Sequence, residues 1–315
     1  MQDNYKIFSG SSSLNLAESI CEQLGTKLSR ANLGRFSDGE IRFEIEENVR
    51  GRDIFVIQST CHPCNQNIME LLVMGDALRR ASAKSLCAVL PYYGYARQDR
   101  KVAPRTAISA KLVADLITTA GYNRLMTVDL HAGQIQGFLN YPVDHLFGNY
   151  VLFPYLSKKY GNDDLCVVSP DAGGTERARI LGKKLKAPLA IVDKRRTKAN
   201  EAKALHLIGD VKDKTALIID DMIDTGGTLC QAAELLMKNG AKRVLACATH
   251  GVFSGPAYER LSQSLFEEII ITDSIPLRND FKSFKKLSVL SVAPMIAETI
   301  RRIQTNDSIS ALFEY

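Results

Sequence analysis

The sequence of 315 residues contains no apolar run long enough to cross a membrane. Its first residues, "MQDNYKIF", lack the composition of a secretory signal peptide, so we expect neither a signal peptide nor a membrane partner. A concentration of basic charge is also missing, because the net charge is only +5 and lysines and arginines are spread along the chain. This distribution argues against nucleic-acid binding and leaves small anions as ligands for local basic clusters.

The cysteines do not form a disulfide framework or a zinc-binding set. Seven cysteines, an odd number, are scattered through apolar segments, which favours reduced thiols in a cytoplasmic protein. Cys61 and Cys64 in "CHPC" have the spacing of a redox dithiol or half a zinc site, but no second pair accompanies them. We therefore interpret them as two loop cysteines.

The Gly-Lys-Ser/Thr signature of a nucleotide P-loop is absent as well. Instead, "LIIDDMIDTGGT" at 217–228 ends an apolar run with two adjacent acids and continues with a Gly-Gly step between threonines. Small residues between a strand and a helix let backbone N–H groups converge on an anion. Carboxylates suit vicinal sugar hydroxyls, or a metal ion that also touches a phosphate. The stretch predicts a phosphorylated-sugar site, while a structural turn with Asp224 as a helix cap is the alternative.

Short apolar strands alternate with amphipathic helices along most of the chain. This alternation predicts an α/β fold with mainly parallel sheets flanked by helices. The segment 108–121, for example, has helical spacing and is closed by Gly121. Because the alternation restarts after Pro and Gly interrupt it near 141–150, we predict two domains, 1–147 and 148–315, with a C-terminal tail that can pack on the first.

Four further unusual segments follow predicted strands, where open α/β sheets bind ligands. They are "YYGYARQDRK" (92–101), "DLHAGQ" (129–134), "SPDAGG" (169–174) and "DKRRTKANEAK" (193–203). The basic stretch 193–203 is either a solvated loop or a loop that closes over a polyphosphate. His131 and Asp171 are either structural or ligands of a divalent cation. Phe36, beside a turn at residues 37–39, is a core residue or a platform for a planar base, and the pattern alone favours the core.

Taken together, the motifs resemble a known family. "DDMIDTGGT" resembles the phosphoribosyl-binding loop of the type I phosphoribosyltransferase fold. With "RFSDGE", "YARQDRK", "TVDLHAGQIQGF", "SPDAGG" and "VDKRRTKANE" in the same order, nearly the whole chain is similar to the class I, phosphate-activated ribose-phosphate diphosphokinases. The resemblance implies two consecutive phosphoribosyltransferase-like domains. It also implies transfer of the diphosphoryl group of ATP to the C1 hydroxyl of ribose 5-phosphate, giving phosphoribosyl diphosphate and AMP for nucleotide, histidine, tryptophan and NAD biosynthesis.

The resemblance further implies a role for particular residues. Lys194 and Arg196 are the expected catalytic residues, and His131 and Asp171 the expected ligands of Mg²⁺. The expected ribose 5-phosphate contacts are Asp220, Asp221, Asp224, Thr225, Gly226, Gly227 and Thr228. The expected ATP contacts are Phe36, Asp38, Gly39, Glu40, Arg97, Gln98 and Asp99. In this family the segment 36–40 reaches across from a neighbouring subunit.

Regulation and assembly follow from the same resemblance. Family members of this class are activated by inorganic phosphate and inhibited by ADP at a site between subunits, and they form homohexamers built from dimers. Ser308, Ser310, Phe313 and Arg50 are the expected regulatory contacts. The segment 101–109 departs from the family pattern. The alternatives are a phosphoribosyltransferase, which would not need the first half, and a non-catalytic regulatory subunit, which would be expected to lose catalytic residues that this chain keeps.

Overall fold

The computed structural model describes residues 4–195 and 204–312. The strands are β1 Tyr5–Ser9, β2 Ala31–Arg35, β3 Ile41–Ile45, β4 Asp53–Ile57, β5 Ser85–Leu90, β6 Arg124–Val128, β7 Val143–Leu146, β8 Leu165–Ser169, β9 Leu189–Arg195, β10 Ala204–Ile208, β11 Thr215–Ile223, β12 Arg243–Gly251, β13 Phe266–Thr272 and β14 Leu287–Leu290. The α-helices are α1 Leu14–Leu24, α2 Cys64–Arg80, α3 Ser109–Ala120, α4 Asn149–Tyr160, α5 Thr175–Leu185, α6 Gly227–Lys238, α7 Ala257–Ser262 and α8 Ala293–Thr305.

The described residues form two compact units. The first comprises residues 4–147, 274–276 and 291–312, so α8 belongs to it and packs against α1. The second comprises Gly148–Asp273 and Leu277–Leu290.

The first unit contains a sheet of five parallel strands in the order β1-β4-β5-β6-β7. Strands β2 and β3 form a separate antiparallel pair. The helices bury apolar stripes at helical spacing, as α3 does with Ala110, Val113, Ala114 and Ile117. Helix α3 ends at Ala120 and is capped by Gly121, as the sequence predicted, and the left-handed φ of 111° at Gly121 suits a residue without a Cβ.

The second unit contains a seven-stranded sheet in the order β10-β9-β8-β11-β12-β13-β14, parallel except for the β9–β10 pair. Alternate residues of β11 enter different cores. Ala216 and Ile218 pack in the cluster that contains α6, whereas Leu217 and Ile219 pack in the cluster that contains α5. Helices therefore cover both faces of this sheet, and the predicted α/β class is confirmed.

The strand order of the second sheet reverses between β8 and β11. From β8 the chain runs through α5 to β9 on one side, and from β11 it runs through α6 to β12 on the other. Such a reversal leaves a crevice at the carboxyl ends of the two central strands, which is where open α/β sheets bind ligands.

Only the first three residues of the stretch 193–203 lie within the described residues. Asp193, Lys194 and Arg195 end β9, which pairs antiparallel with β10 so that Asp193 is opposite His206. The backbone of β10 supplies hydrogen-bond partners for this end of β9. The predicted loop over the rest of the stretch lies outside the described residues.

Among the described residues, no helix is both long and apolar enough to cross a membrane.

Candidate functional site

The predicted sugar-binding acids lie at the crevice of the second sheet. Strands β8 and β11 run parallel with Val168 opposite Ile218. Asp220 therefore follows by two positions the last residue of β11 that pairs with β8, and Asp171 follows the end of β8 by two. Because the carboxyl ends of parallel strands meet at one edge, the structure brings these acids to the same edge of the sheet.

The two adjacent acids share one nearby cation. The Asp221 side chain is 6% exposed and that of Asp220 28%, and Arg177 Nη1 lies 3.6 Å from Asp220 Oδ1 and 3.9 Å from Asp221 Oδ1. The backbone N–H of Asp221 also donates to Asp220 Oδ1 at 2.9 Å. Burial first, and then the negative charge of Asp221, raise the pKa of Asp220 to about 7, while Arg177 acts in the opposite direction. The pair is therefore poised for ligands that donate hydrogen bonds or carry positive charge.

The turn after β11 leads directly into a helix N-terminus. Helix α6 begins at Gly227, and its N-cap residue Gly226 has a φ of +73° and no side chain that could cap the helix. A Cβ on Gly226 would lie 3.2 Å from Leu261 Cδ2, and one on Gly227 would lie 3.1 Å from Arg260 Nη1. Small residues are therefore needed for this turn, and the exposed end of the helix dipole favours an anion.

The carboxylate of Asp224 accepts a hydrogen bond from the hydroxyl of Ser254. Asp224 therefore links the turn to the segment that follows β12, while its sugar-phosphate role and the alternative in which it caps α6 both stay predictions.

Two arginines beside this site were missed in the sequence. Arg177 contacts the acid pair, and Arg260 Nη1 donates to the Thr225 carbonyl at 3.2 Å. In a planar trans peptide the next N–H points away from that carbonyl, so Arg260 helps to aim the Gly226 N–H towards the opposite side of the turn. Only the position of Arg177, three residues after the "DAGG" segment on the following helix, could have signalled its role.

The structure places Asp171 and Lys194 but does not test the roles predicted for them. Asp171 Oδ1 accepts the N–H of Gly174 at 3.0 Å, so one carboxylate oxygen closes the turn into α5. Lys194 pairs with Leu205 in the β9–β10 ladder, whereas Arg196 lies outside the described residues. The metal-binding role of Asp171 and the catalytic roles of Lys194 and Arg196 stay predictions.

In the first unit, the predicted adenine-binding residues lie at the tip of the β2–β3 hairpin. The N–H of Phe36 donates to the Glu40 carbonyl at 2.9 Å, the Glu40 N–H donates to Asp38 Oδ1 at 3.1 Å, and Gly39 has a φ of +95°. The side chain of Phe36 is 53% exposed. The interpretation of Phe36 as a core residue is therefore wrong, and an exposed ring can stack on a planar base.

Hydrogen bonds join two other predicted ATP-side segments of the first unit. Gln134 Nε2 donates to Asp99 Oδ2 at 2.6 Å, which ties 92–101 to 129–134. The Ala110 N–H donates to the Gln98 carbonyl at 3.2 Å, and the Ser109 hydroxyl donates to the Gln98 side chain. Arg97 is exposed nearby. The N-terminus of α3 thus holds the segment that carries Arg97, Gln98 and Asp99.

His131 is exposed on a loop that a second histidine supports. The N–H of Leu130 donates to His145 Nε2 at 3.0 Å, and the preceding Asp129 has a φ of 39°, unusual for a residue with a Cβ. His145 was not identified from the sequence. Within the described ranges no three His, Cys, Asp or Glu side chains cluster as a metal site. The metal-binding role of His131 stays a prediction.

The expected regulatory residues make contacts within the first unit. Arg50 Nη1 donates to the Ser82 hydroxyl at 3.0 Å, and Arg302 Nη1 donates to the Ser308 carbonyl at 2.7 Å. Ser310 begins a short 3-10 helix, Ser310–Leu312, and Phe313 lies outside the described residues. Their regulatory role also stays a prediction.

All seven cysteines, each within the described residues, are free thiols. Burial raises the pKa of Cys61 to about 12, and burial also raises the pKa of the half-buried Cys64. A thiol with a raised pKa stays protonated at neutral pH and is a weak nucleophile and metal ligand. Both properties argue against a redox or metal-binding role, but the interpretation of the pair as loop cysteines holds only for Cys61, because Cys64 is the first residue of α2.

Comparison with known proteins identifies the family. Residues 5–121 match the N-terminal domain of ribose phosphate pyrophosphokinase, and residues 184–314 match the phosphoribosyl synthetase-associated domain. The ribose-phosphate pyrophosphokinase of Caldanaerobacter subterraneus subsp. tengcongensis is 57% identical over 99% of this chain and 98% of its own length. The enzyme of that name from Campylobacter jejuni is 53% identical over 98% of this chain and 99% of its own.

A solved structure agrees with the sequence comparisons. The crystal structure of phosphoribosylpyrophosphate synthetase from Mycobacterium smegmatis superimposes with a TM-score of 0.92 at 45% identity, covering 96% of this chain and 99% of the other. Both the sequence and the fold are thus similar along the full length, so the chain belongs to the ribose-phosphate pyrophosphokinase family.

Proposed function

We propose that this protein is a ribose-phosphate diphosphokinase. It transfers the β,γ-diphosphoryl group of ATP to the C1 hydroxyl of ribose 5-phosphate and forms phosphoribosyl diphosphate and AMP. The observation that carries the proposal is the full-length similarity to ribose-phosphate pyrophosphokinases, 57% identity over 99% of the chain in one case. The acid pair and the glycine turn at the crevice of the second sheet are the groups that this sugar phosphate needs.

The site of the second unit binds the two ends of ribose 5-phosphate with different chemistry. The turn from Asp224 to Thr228 binds the 5-phosphate through backbone N–H groups, threonine hydroxyls and the N-terminus of α6. Asp220 and Asp221 accept hydrogen bonds from the ribose hydroxyls, which are donors that a carboxylate can use in pairs. Acids and phosphate cradle therefore do not compete, because they contact opposite ends of one ligand.

Lys194 and Arg196 carry the transfer step in this proposal. Phosphoryl transfer asks for alignment and for neutralisation of charge on the moving group and the leaving AMP, with little covalent chemistry from the protein. Two cations on the basic stretch supply that neutralisation, and they also exclude water that would hydrolyse ATP. The anomeric hydroxyl is acidic enough that no protein base is assigned.

The proposed metal is Mg²⁺, and His131 in the first unit and Asp171 in the second are each assigned as a protein ligand. Mg²⁺ is usually held by one or two protein groups together with substrate phosphates and water, so a full cage of side chains is not required. Asp171 uses one carboxylate oxygen for Gly174, which leaves the other available. When bound, the ion neutralises charge on the diphosphoryl oxygens.

ATP, regulation and assembly complete the proposal. The exposed Phe36 stacks on adenine at a hairpin tip that presents Asp38, Gly39 and Glu40, and Arg97, Gln98 and Asp99 contact the nucleotide. A homohexamer built from dimers brings the hairpin of a neighbouring subunit to the site. Inorganic phosphate and ADP bind at Arg50, Ser308, Ser310 and Phe313. The seven free thiols support a cytoplasmic protein.

The direct test is an assay of the purified protein with ATP, ribose 5-phosphate and Mg²⁺, with and without inorganic phosphate. We expect AMP and phosphoribosyl diphosphate in equal amounts. Absence of AMP under both conditions would reject the proposal. Consumption of phosphoribosyl diphosphate with a nucleobase, without AMP formation, would instead identify a phosphoribosyltransferase.

A further inference from the structure

Arg260, on the short helix α7, lies against the turn that leads into α6. Its Nη1 donates a hydrogen bond to the Thr225 carbonyl at 3.2 Å. A Cβ on Gly227 would lie 3.1 Å from the same nitrogen and 3.6 Å from Arg260 Cζ, so the guanidinium packs on the first residue of α6. The next residue of α7, Leu261, is fully buried and lies beside Gly226, which fixes α7 at this turn.

This is an unfavourable place for a cation in the absence of a bound anion. The N-terminus of a helix carries the positive end of the helix dipole, so acidic side chains are favoured there and basic ones at the C-terminus. Helix α5 follows that rule, with Glu176 in its first turn and Lys183 and Lys184 in its last. Arg260 instead brings its charge to the positive end of α6. A bound anion would be attracted to both.

The charge of Arg260 is not used in a surface ion pair. Arg179 on α5 and Arg302 on α8 each pair with a glutamate of the same helix. Among the residues that the structure describes, no carboxylate forms an ion pair with Arg260, and its hydrogen-bond acceptor is the neutral carbonyl of Thr225. A solvated ion pair therefore does not account for this arginine.

The direction of one peptide group defines how Arg260 acts. The Thr225 carbonyl and the Gly226 N–H belong to the same trans peptide, so they point in opposite directions. An anion bound by that N–H would therefore lie on the other side of the turn from the guanidinium. Arg260 holds the peptide from behind and adds positive charge there, without contacting the anion.

We propose that Arg260 is a positioning residue for the 5-phosphate of the sugar, which holds the Gly226 N–H towards the phosphate and contributes positive charge behind the turn. The inference rests on the proposed function, because it assumes that this turn binds the sugar phosphate. It adds that the affinity for phosphate depends on α7 as well as on the glycine turn. It also implies that Arg260 contributes to ligand binding more than to the stability of the unliganded protein.

The experiment measures binding of ribose 5-phosphate to the full-length protein by calorimetry. Arg260→Met removes the charge and the donors, Arg260→Lys keeps a charge and a donor, and Arg179→Met on α5 is the control. For Arg260→Met we expect Kd to rise about tenfold, the scale of a hydrogen bond that involves a charged group. Arg260→Lys should recover most of this loss, and Arg179→Met should bind as the wild type does.

Stability and kinetics separate positioning from a merely structural role. In Arg260→Met the loss of one exposed hydrogen bond is offset by removal of a cation from a helix N-terminus, so the unliganded variant should melt at the wild-type temperature. In steady-state assays the change should fall on the KM for ribose 5-phosphate, with smaller changes in kcat and in the KM for ATP.

Three results would overturn the proposal. The first is a Kd of Arg260→Met within about twofold of the wild type, or no larger an effect than in Arg179→Met. The second is an Arg260→Lys variant that binds no better than Arg260→Met, because neither charge nor donor would then matter. The third is a lowered melting temperature or loss of folding in Arg260→Met, which would make Arg260 a structural residue. Failure of the proposed function would appear separately, as absence of AMP from the wild type.

Discussion

The two acids near the end of β11 are the residues on which the proposed sugar-phosphate site depends most. Asp220 and Asp221 are consecutive, and Asp221 is buried. Burial and the neighbouring charge raise the pKa of Asp220 to about 7 against the opposing effect of Arg177. The folded protein therefore holds a carboxylate that is costly to ionise until a ligand compensates it.

This pKa predicts a pH dependence of stability that Asp220→Asn should remove. The folded-state pKa of Asp220 lies above its ordinary value of 3.8, so the folded chain binds this proton more tightly than the unfolded chain. Its contribution to stability therefore falls as pH rises from about 4 to about 7, and the Asn variant should gain stability relative to the wild type over that window. Urea unfolding across the window measures this, with the exposed Asp213→Asn as control. Parallel curves for Asp220→Asn and the wild type would contradict the assignment.

Lys194→Ala tests the catalytic stretch. Because this lysine is proposed to stabilise charge that develops only during transfer, its loss should lower kcat by about 100-fold or more and leave ribose 5-phosphate binding largely intact. Steady-state kinetics and direct binding separate the two effects, and Lys183→Ala on the surface of α5 is the control. Turnover within a few-fold of the wild type would show that the catalytic assignment is wrong.

Single residues could be interpreted from the sequence where their chemistry is local. The Asp-Asp and Gly-Gly steps belong to one short run, so their proximity was predictable. Arg177 and Arg260 reach that run from α5 and α7, and the sequence does not show which arginines fold back. Phe36 was wrongly favoured as core, since an apolar side chain at a hairpin tip has no sheet face to enter.

At the scale of elements, local periodicity predicted the helices better than the polar strands. Helix α3 ends at Gly121 as expected, because the buried stripe and the terminating glycine are both local. The extension of β9 through Lys194 and Arg195 depends on pairing with β10, which returns from beyond the basic stretch. The loop predicted for the rest of that stretch lies outside the described residues.

The end of α3 provides a test of this element. Gly121→Ala should lower the free energy of unfolding by about 1–3 kcal/mol, because a φ of 111° strains any residue with a Cβ. The added Cβ would also lie 2.7 Å from Arg79 Cδ. Chemical denaturation measures the loss, with Gly137→Ala, where a Cβ meets nothing within 4 Å, as control. Equal stability of the two variants would contradict this account of the helix end.

The tip of the β2–β3 hairpin provides a second test at the scale of elements. Phe36→Ala should raise the KM for ATP by roughly tenfold, the scale of one lost base–aromatic stack, with little change in the KM for ribose 5-phosphate. The control is Leu265→Ala, a similarly exposed apolar side chain in the second unit. An unchanged KM for ATP would show that Phe36 does not contact the nucleotide. A larger rise in the KM for ribose 5-phosphate than in the KM for ATP would assign Phe36 to the sugar site instead.

At the scale of the whole molecule, the α/β class follows from the alternation of strands and helices, but the strand order does not. The reversal between β8 and β11 places the acids, Asp171 and the glycine turn at one crevice, and it depends on which distant strands pair. The same holds for α8, which joins the first unit by packing against α1. Pairing and packing between distant segments therefore bring together motifs that are separate in the sequence.

The central claim is that the two terminal phosphoryl groups of ATP move together to ribose 5-phosphate. Incubation with ATP labelled with ³²P at the γ position, ribose 5-phosphate and Mg²⁺ tests it most directly. We predict that the label enters phosphoribosyl diphosphate while AMP forms in equal amount. Formation of ADP, or label found only in inorganic phosphate, would contradict the account.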